Sequence, residues 1–261
     1  MTVNGYLQDL ASRLVVKNEE KTKITTSINT IKNRLSSYFG SDVTDKIVFG
    51  SYTRGTILPR KADDESDIDL MVVFGYNSNS YKPQTYLNKL KSFAEYYYSS
   101  SEIHQSRPTI VLELNHIKFE LVPAYKPFSY GIEYKIPNGP SDWISTNPNE
   151  FNNTLTTCNT NNCSKIKPII RLIKRWNVTN NDRNMKSFEI EKKIAENMKY
   201  AYFNCTSYDE YAKEAFKAIR NFCNQDKIND AIATIDKALE HEANDMPYTA
   251  LADIKEVFED F

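Results

Sequence analysis

The chain has 261 residues, 40% of them hydrophobic and 26% charged, with 33 basic residues against 34 acidic and a formal net charge of −1. That balance, with a pI near 6.4 and a mean hydropathy of −0.58, excludes a strongly basic, histone-like binder of long nucleic acid. No run of about 18 apolar residues occurs, so no transmembrane helix is expected, and the opening MTVNGYLQDLASRLVVKNEE lacks the basic-then-apolar order of a secretory signal.

The first forty residues read as helix. Tyr6, Leu7, Leu10 and Leu14 recur at helical spacing, as do Ile24, Ile28, Ile31 and Leu35, before Gly40 ends the pattern. The period then shortens. Lys46 to Phe49 and Ile68 to Phe74 read as strands, and Thr109–Leu114 and Ile117–Val122 form a hairpin about Asn115-His116. Gln84 to Tyr98 reads as a helix between them. After Asp142-Trp143 comes an Asn/Thr-rich stretch through Asn162, and from Lys165 the pattern is helical almost to Phe261. A mixed α/β lobe over 1–145 followed by a helical lobe over 146–261 is the expected organisation, with a cleft between them as the default ligand site. Cys158 and Cys163 lie close in CNTNNC, while Cys205, Cys223 and the histidines fall elsewhere. Free thiols in a reducing cytoplasm are expected rather than zinc ligands.

The stretch that carries chemistry is Phe49-Gly50-Ser51-Tyr52-Thr53-Arg54-Gly55-Thr56, followed by Asp67-Ile68-Asp69-Leu70. A strand ends at Phe49, Gly50 permits a tight turn, and Ser51 opens a short helix whose backbone N–H groups suit a phosphate. Asp67 and Asp69 are two apart on a strand, so both carboxylates face one way and Ile68, Leu70, Val72 and Phe74 face the other. Two carboxylates on a rigid strand suit Mg²⁺ bound to phosphate oxygens. Glu120 supplies a third acid: Phe119 and Leu121 alternate onto the opposite face, and a charge in an apolar strand costs several kcal/mol unless paired or on a metal. Farther on, Lys167, Arg171, Lys174 and Arg175 fall on one side of a helix.

FGSYTRGTILPRKADDESDIDLMVVF resembles the signature of the DNA polymerase β-like nucleotidyltransferase superfamily. Within it the chain is most similar to the bacterial cGAS/DncV-like nucleotidyltransferases, relatives of cyclic GMP–AMP synthase and oligoadenylate synthase. The resemblance continues through FELVPAY (119–125), DWISTNP (142–148), KPIIRLIKRWN (167–177) and KSFEIE (186–191). It implies a two-lobed α+β polymerase β-like fold, with an N-terminal mixed-sheet lobe and a C-terminal helical lobe. It also implies that Gly50 and Ser51 hold the donor triphosphate. Asp67, Asp69 and Glu120 would be the catalytic acids that bind Mg²⁺ or Mn²⁺, Glu120 standing where Asp is commoner. Lys174 and Ser187 match a Lys and a Ser that grip the β- and γ-phosphates, and Phe188 the residue that stacks on the base.

The activity implied is the joining of nucleoside triphosphates into a short oligonucleotide, a ring being the expected form, as a signal in anti-phage defence. An activating ligand or partner protein is allowed for; long nucleic acid and membrane are not expected. An RNA-end transferase resembling archaeal CCA-adding enzymes would need RNA-binding domains, for which little chain is left after residue 200. A non-catalytic, antitoxin-like module is disfavoured because all three acids are present.

Overall fold

The computed structural model describes residues 1–75, 82–106, 108–127 and 133–261. Two compact units emerge: one of residues 17–53 and 65–150, the other of residues 1–16, 54–64 and 151–261.

The first unit is built on a mixed sheet. Helix α2 (Asn18–Phe39) leads into β1 (Val43–Phe49), and the short α3 (Gly50–Arg54) follows at once. Strand β2 (Asp67–Phe74), helix α4 (Pro83–Tyr97), and strands β3 (Ile103–Ser106), β4 (Thr109–Leu114) and β5 (Ile117–Tyr125) come next. Strands β6 (Tyr134–Asn138) and β7 (Asp142–Thr146) complete it. The order is β1-β2-β5-β4-β3, with β6 joining β5 and β7. Only β2 and β5 run parallel; the other described pairs are antiparallel. Alternation along β2 puts Ile68, Leu70, Val72 and Phe74 on a buried face, where Phe74 meets Phe39 of α2 and Tyr86 of α4 with ring centroids at 5.3 and 4.8 Å. On the other face Met71, Val73 and Ala124 pack with Ile47, Phe49, Tyr134 and Ile136.

The second unit is helical. Helix α1 (Val3–Arg13) packs with α6 (Ile166–Thr179), α8 (Tyr208–Ile219), α9 (Gln225–Ala243) and α10 (Pro247–Val257). Helices α5 (Glu150–Asn161) and α7 (Ser187–Asn197) belong to the same unit. Ile166, Ile169, Ile170 and Ile173 are fully buried, and Trp176 sits in the core edge-on to Phe216 at 4.9 Å. Helix α8 starts at a capping box between Ser207 and Glu210, and two backbone N–H bonds pull the Glu210 carboxyl down to about 2.

The units divide the chain differently from the expected boundary at 145/146. Leu7, Leu10 and Leu14 share a core with Ile169, Ile173 and Trp176, and Leu58 and Ala62 join it, so residues 1–16 and 54–64 fold with the C-terminal helices. Helix α5 lies in the Asn/Thr-rich stretch, which carried no helical signal; Leu155 and Cys158 on one face are buried and offset its weak propensity. No helix among the described residues is long and apolar enough to cross a membrane.

Candidate active site

The two strands that carry the acids are neighbours. In the parallel β2–β5 pair, Asp69 stands opposite Glu120 and Asp67 opposite Lys118. Residues opposite each other in a ladder share a face, so Asp67, Asp69 and Glu120 converge on one side. One carboxylate oxygen from each lies within 4.8 Å of the other two, and all three side chains are half-buried. Hard oxygen donors this close fit Mg²⁺ or Mn²⁺ by their chemistry.

Gly50 abuts this group. Phe49, just before it, is paired with Asp69 across β1 and β2. Gly50 has φ +77°, and a Cβ there would lie 1.7 Å from Asp69 Oδ2. Hydrogen is therefore the only side chain the position admits, both for the backbone angle and for the approach. Gly50→Ala is expected to cost about 1–2 kcal/mol of backbone strain. By displacing Asp69 it should also slow turnover on the order of 100-fold. Steady-state kinetics on the purified variant, with urea unfolding alongside, separates the two effects. Ser51 follows, half-buried, at the start of α3.

Lys118 was not foreseen as part of this surface. It is 8% exposed, pairs with Glu65, and lies between Asp67 of β2 and Glu113 of β4 in one cross-strand row. Burial pulls its ammonium down, but the bond to Glu65 and the charges of Glu65, Asp67 and Glu113 outweigh this and raise it. The parity of Ile-Lys-Phe-Glu-Leu did hold the signal: Lys118 and Glu120 alternate onto the same face.

The residues expected to grip phosphate lie in the helical unit and divide into two kinds. Ser187 and Phe188 are exposed at the start of α7; Phe188 packs edge-on against Phe151 at 5.2 Å, and the Arg54 guanidinium carbon sits 5.5 Å from each ring. Lys174 has another partner than the phosphate expected of it. It is 4% exposed, and its ammonium donates to Glu191 and to the Thr56 carbonyl. Glu191, fully buried, also accepts from Arg54 Nε and from Thr56 Oγ1 at 2.8 Å. A buried carboxylate requires this: two cations and a hydroxyl replace its water.

Arg171 and Arg175 on the same basic face of α6 are committed likewise. Arg171 donates to the Gly55 and Ala11 carbonyls, and Arg175 to those of Ala62 and Asp260. Burial brings Arg171 down to about 10. These cations hold the 54–64 segment in place; they are not a solvated surface for phosphate.

Burial pushes the Glu191 carboxyl up, yet the charges of Lys174 and Arg54 prevail and hold it below the ordinary glutamate value of 4.5. A depressed folded value means the stabilisation is fully present above about pH 4.5 and is lost as pH falls through that lower value. Urea unfolding from pH 7 to pH 3 should therefore show a steeper acid loss in the wild type than in Glu191→Gln.

The sequence family described as Second Messenger Oligonucleotide or Dinucleotide Synthetase domain matches residues 1–159, more than half of the chain. The chain belongs to this family. Its members are nucleotidyltransferases, and the match contains Gly50, Ser51 and all three acids. A Bacillus cereus (strain VD146) protein named a probable cyclic nucleotide synthase is 29% identical over 213 residues, 68% of this chain. The aligned region spans 60% of that relative's length. Among solved structures, the Vibrio cholerae DncV cyclic AMP-GMP synthase, with the linear intermediate pppA(3',5')pG, has a TM-score of 0.77 at 10% identity, covering 95% of this chain and 92% of that one. The E. coli MS115-1 CdnC structure with ATP has 0.71 at 13% identity, covering 99% and 97%. CdnC is also seen in a complex with HORMA-deltaN, at 0.70 and 13% identity, covering 94% of both chains. The likeness shows that this is the α+β polymerase β-like fold of the cGAS/DncV-like nucleotidyltransferases.

Proposed function

We propose that this SMODS-family chain joins nucleoside triphosphates into a short cyclic oligonucleotide that serves as a second messenger in anti-phage signalling. The observation that carries the reading is the convergence of Asp67, Asp69 and Glu120 within 4.8 Å beside the glycine that starts α3. In this reading the three carboxylates hold Mg²⁺ or Mn²⁺, which supplies charge neutralisation at the triphosphate and acidifies the attacking hydroxyl. The backbone at Gly50 and Ser51 orients the donor triphosphate. A ribose hydroxyl oxygen attacks the α-phosphorus in line, the bond to the bridging oxygen of the β-phosphate breaks, and pyrophosphate leaves. Glu120 takes the hydroxyl proton. Ser187 and Phe188 are the proposed contacts to nucleotide phosphate and base. Lys174 is not among them, because its charge is matched by Glu191. The CdnC complex supports a protein partner for this chain as well, and the place of action proposed is the cytoplasm.

The test is incubation with the four nucleoside triphosphates and Mg²⁺ or Mn²⁺, without RNA, followed by mass spectrometry. Oligonucleotide should form from free nucleotides and resist alkaline phosphatase, since a ring has no terminal phosphate. Activity only with an RNA acceptor would replace this reading by end-transfer to RNA. Product that phosphatase converts completely would mean a linear oligonucleotide.

A further inference from the structure

Lys118 and Glu65 stand at the edge of the carboxylate group without belonging to it. The face carries two cross-strand rows: Asp67, Lys118 and Glu113 in one, Asp69 and Glu120 in the next. Without Lys118, Asp67 would stand across one empty position from Glu113, and a divalent cation would have a second set of carboxylates to choose. Lys118 fills that position, is nearly buried, and is steadied from outside by Glu65, whose own side chain is 61% exposed. An ammonium here repels a cation from the Glu113 side of the face. It also opposes cation binding at the three acids, and Glu65 moderates that opposition.

We propose that the Lys118–Glu65 pair is a positioning device that confines the divalent cation to Asp67, Asp69 and Glu120 and sets how tightly it binds before nucleotide arrives. Lys118 is a positioning residue: it acts through the neighbouring carboxylates. A triphosphate, which brings its own negative charge, restores the attraction that Lys118 removes, so the seat fills together with its substrate. The inference rests on the metal-binding role proposed above for the three acids.

The two partners have opposite charges, and this gives the test its sign. Mn²⁺ is titrated into the nucleotide-free full chain, with free Mn²⁺ followed by electron paramagnetic resonance. Lys118→Met should bind Mn²⁺ about tenfold more tightly and gain a second site, because a cation has been removed. Glu65→Gln should bind about tenfold more weakly, because Lys118 loses its counter-charge. The double variant should lie near the wild type, and Lys118→Arg should keep wild-type affinity. A merely structural pair would move both single variants the same way; that result, or no shift in either, overturns the proposal. Asp69→Asn separates the two levels. It should abolish Mn²⁺ binding, and unchanged binding there would overturn the metal seat itself and this inference with it.

Discussion

Asp69→Asn and Asp67→Asn are each expected to reduce nucleotide joining by at least about a thousand-fold while the fold survives. Asparagine keeps the shape of the side chain and removes the charge a hard cation requires. Asp69 should be the more sensitive position, since it faces both Glu120 across the ladder and Gly50 at the turn. Initial rates at saturating Mn²⁺, with circular dichroism on the same preparations, provide the check. A folded variant with near wild-type turnover would remove the carboxylates from the chemistry.

The second large effect is on stability. Lys174→Ala leaves Glu191 fully buried with Arg54 as its remaining cationic partner in the pair of bridges it makes. Breaking a buried ion pair from one side costs about 3–5 kcal/mol when the remaining charge is left alone, and with the Arg54 bridge and the Thr56 hydroxyl still on Glu191 the loss should lie at the lower end, about 3 kcal/mol. Urea unfolding at pH 7 should show this loss. A wild-type midpoint combined with a nucleotide affinity lowered tenfold or more would instead return Lys174 to the phosphate.

The contrast between these two predictions shows what a sequence of this kind reveals. Asp67, Asp69 and Glu120 were legible because strand alternation is local: apolar neighbours at every second position fix which way an acid points. Gly50 was legible because few glycines occur and this one ends a strand. The partners of Lys174 were not legible, for the complementary reason. Its helix has an amphipathic basic stripe, but whether such a stripe meets water depends on the distant 54–64 segment, whose carbonyls take up Arg171, Lys174 and Arg175. Glu191 could have been noticed from the helix period, since it shares a face with Ile194, Ala195 and Met198, all buried. Strand parity put Lys118 on the face of Glu120, but its place opposite Asp67 needed the β2–β5 pairing, a contact between strands some fifty residues apart. Strands β6 and β7 are short and partly exposed, and α5 is polar along most of its length. They form through tertiary packing that periodicity does not register.

The most direct test of the central claim is a crystal of the wild-type chain grown with Mn²⁺ and a non-hydrolysable nucleoside triphosphate, with anomalous diffraction at the manganese edge. The account predicts anomalous peaks bound directly by Asp67, Asp69 and Glu120 oxygens, at the short distances of about 2.1 Å typical of small divalent ions, with the triphosphate against Gly50 and Ser51. Manganese bound elsewhere, with these three carboxylates holding none, would contradict it.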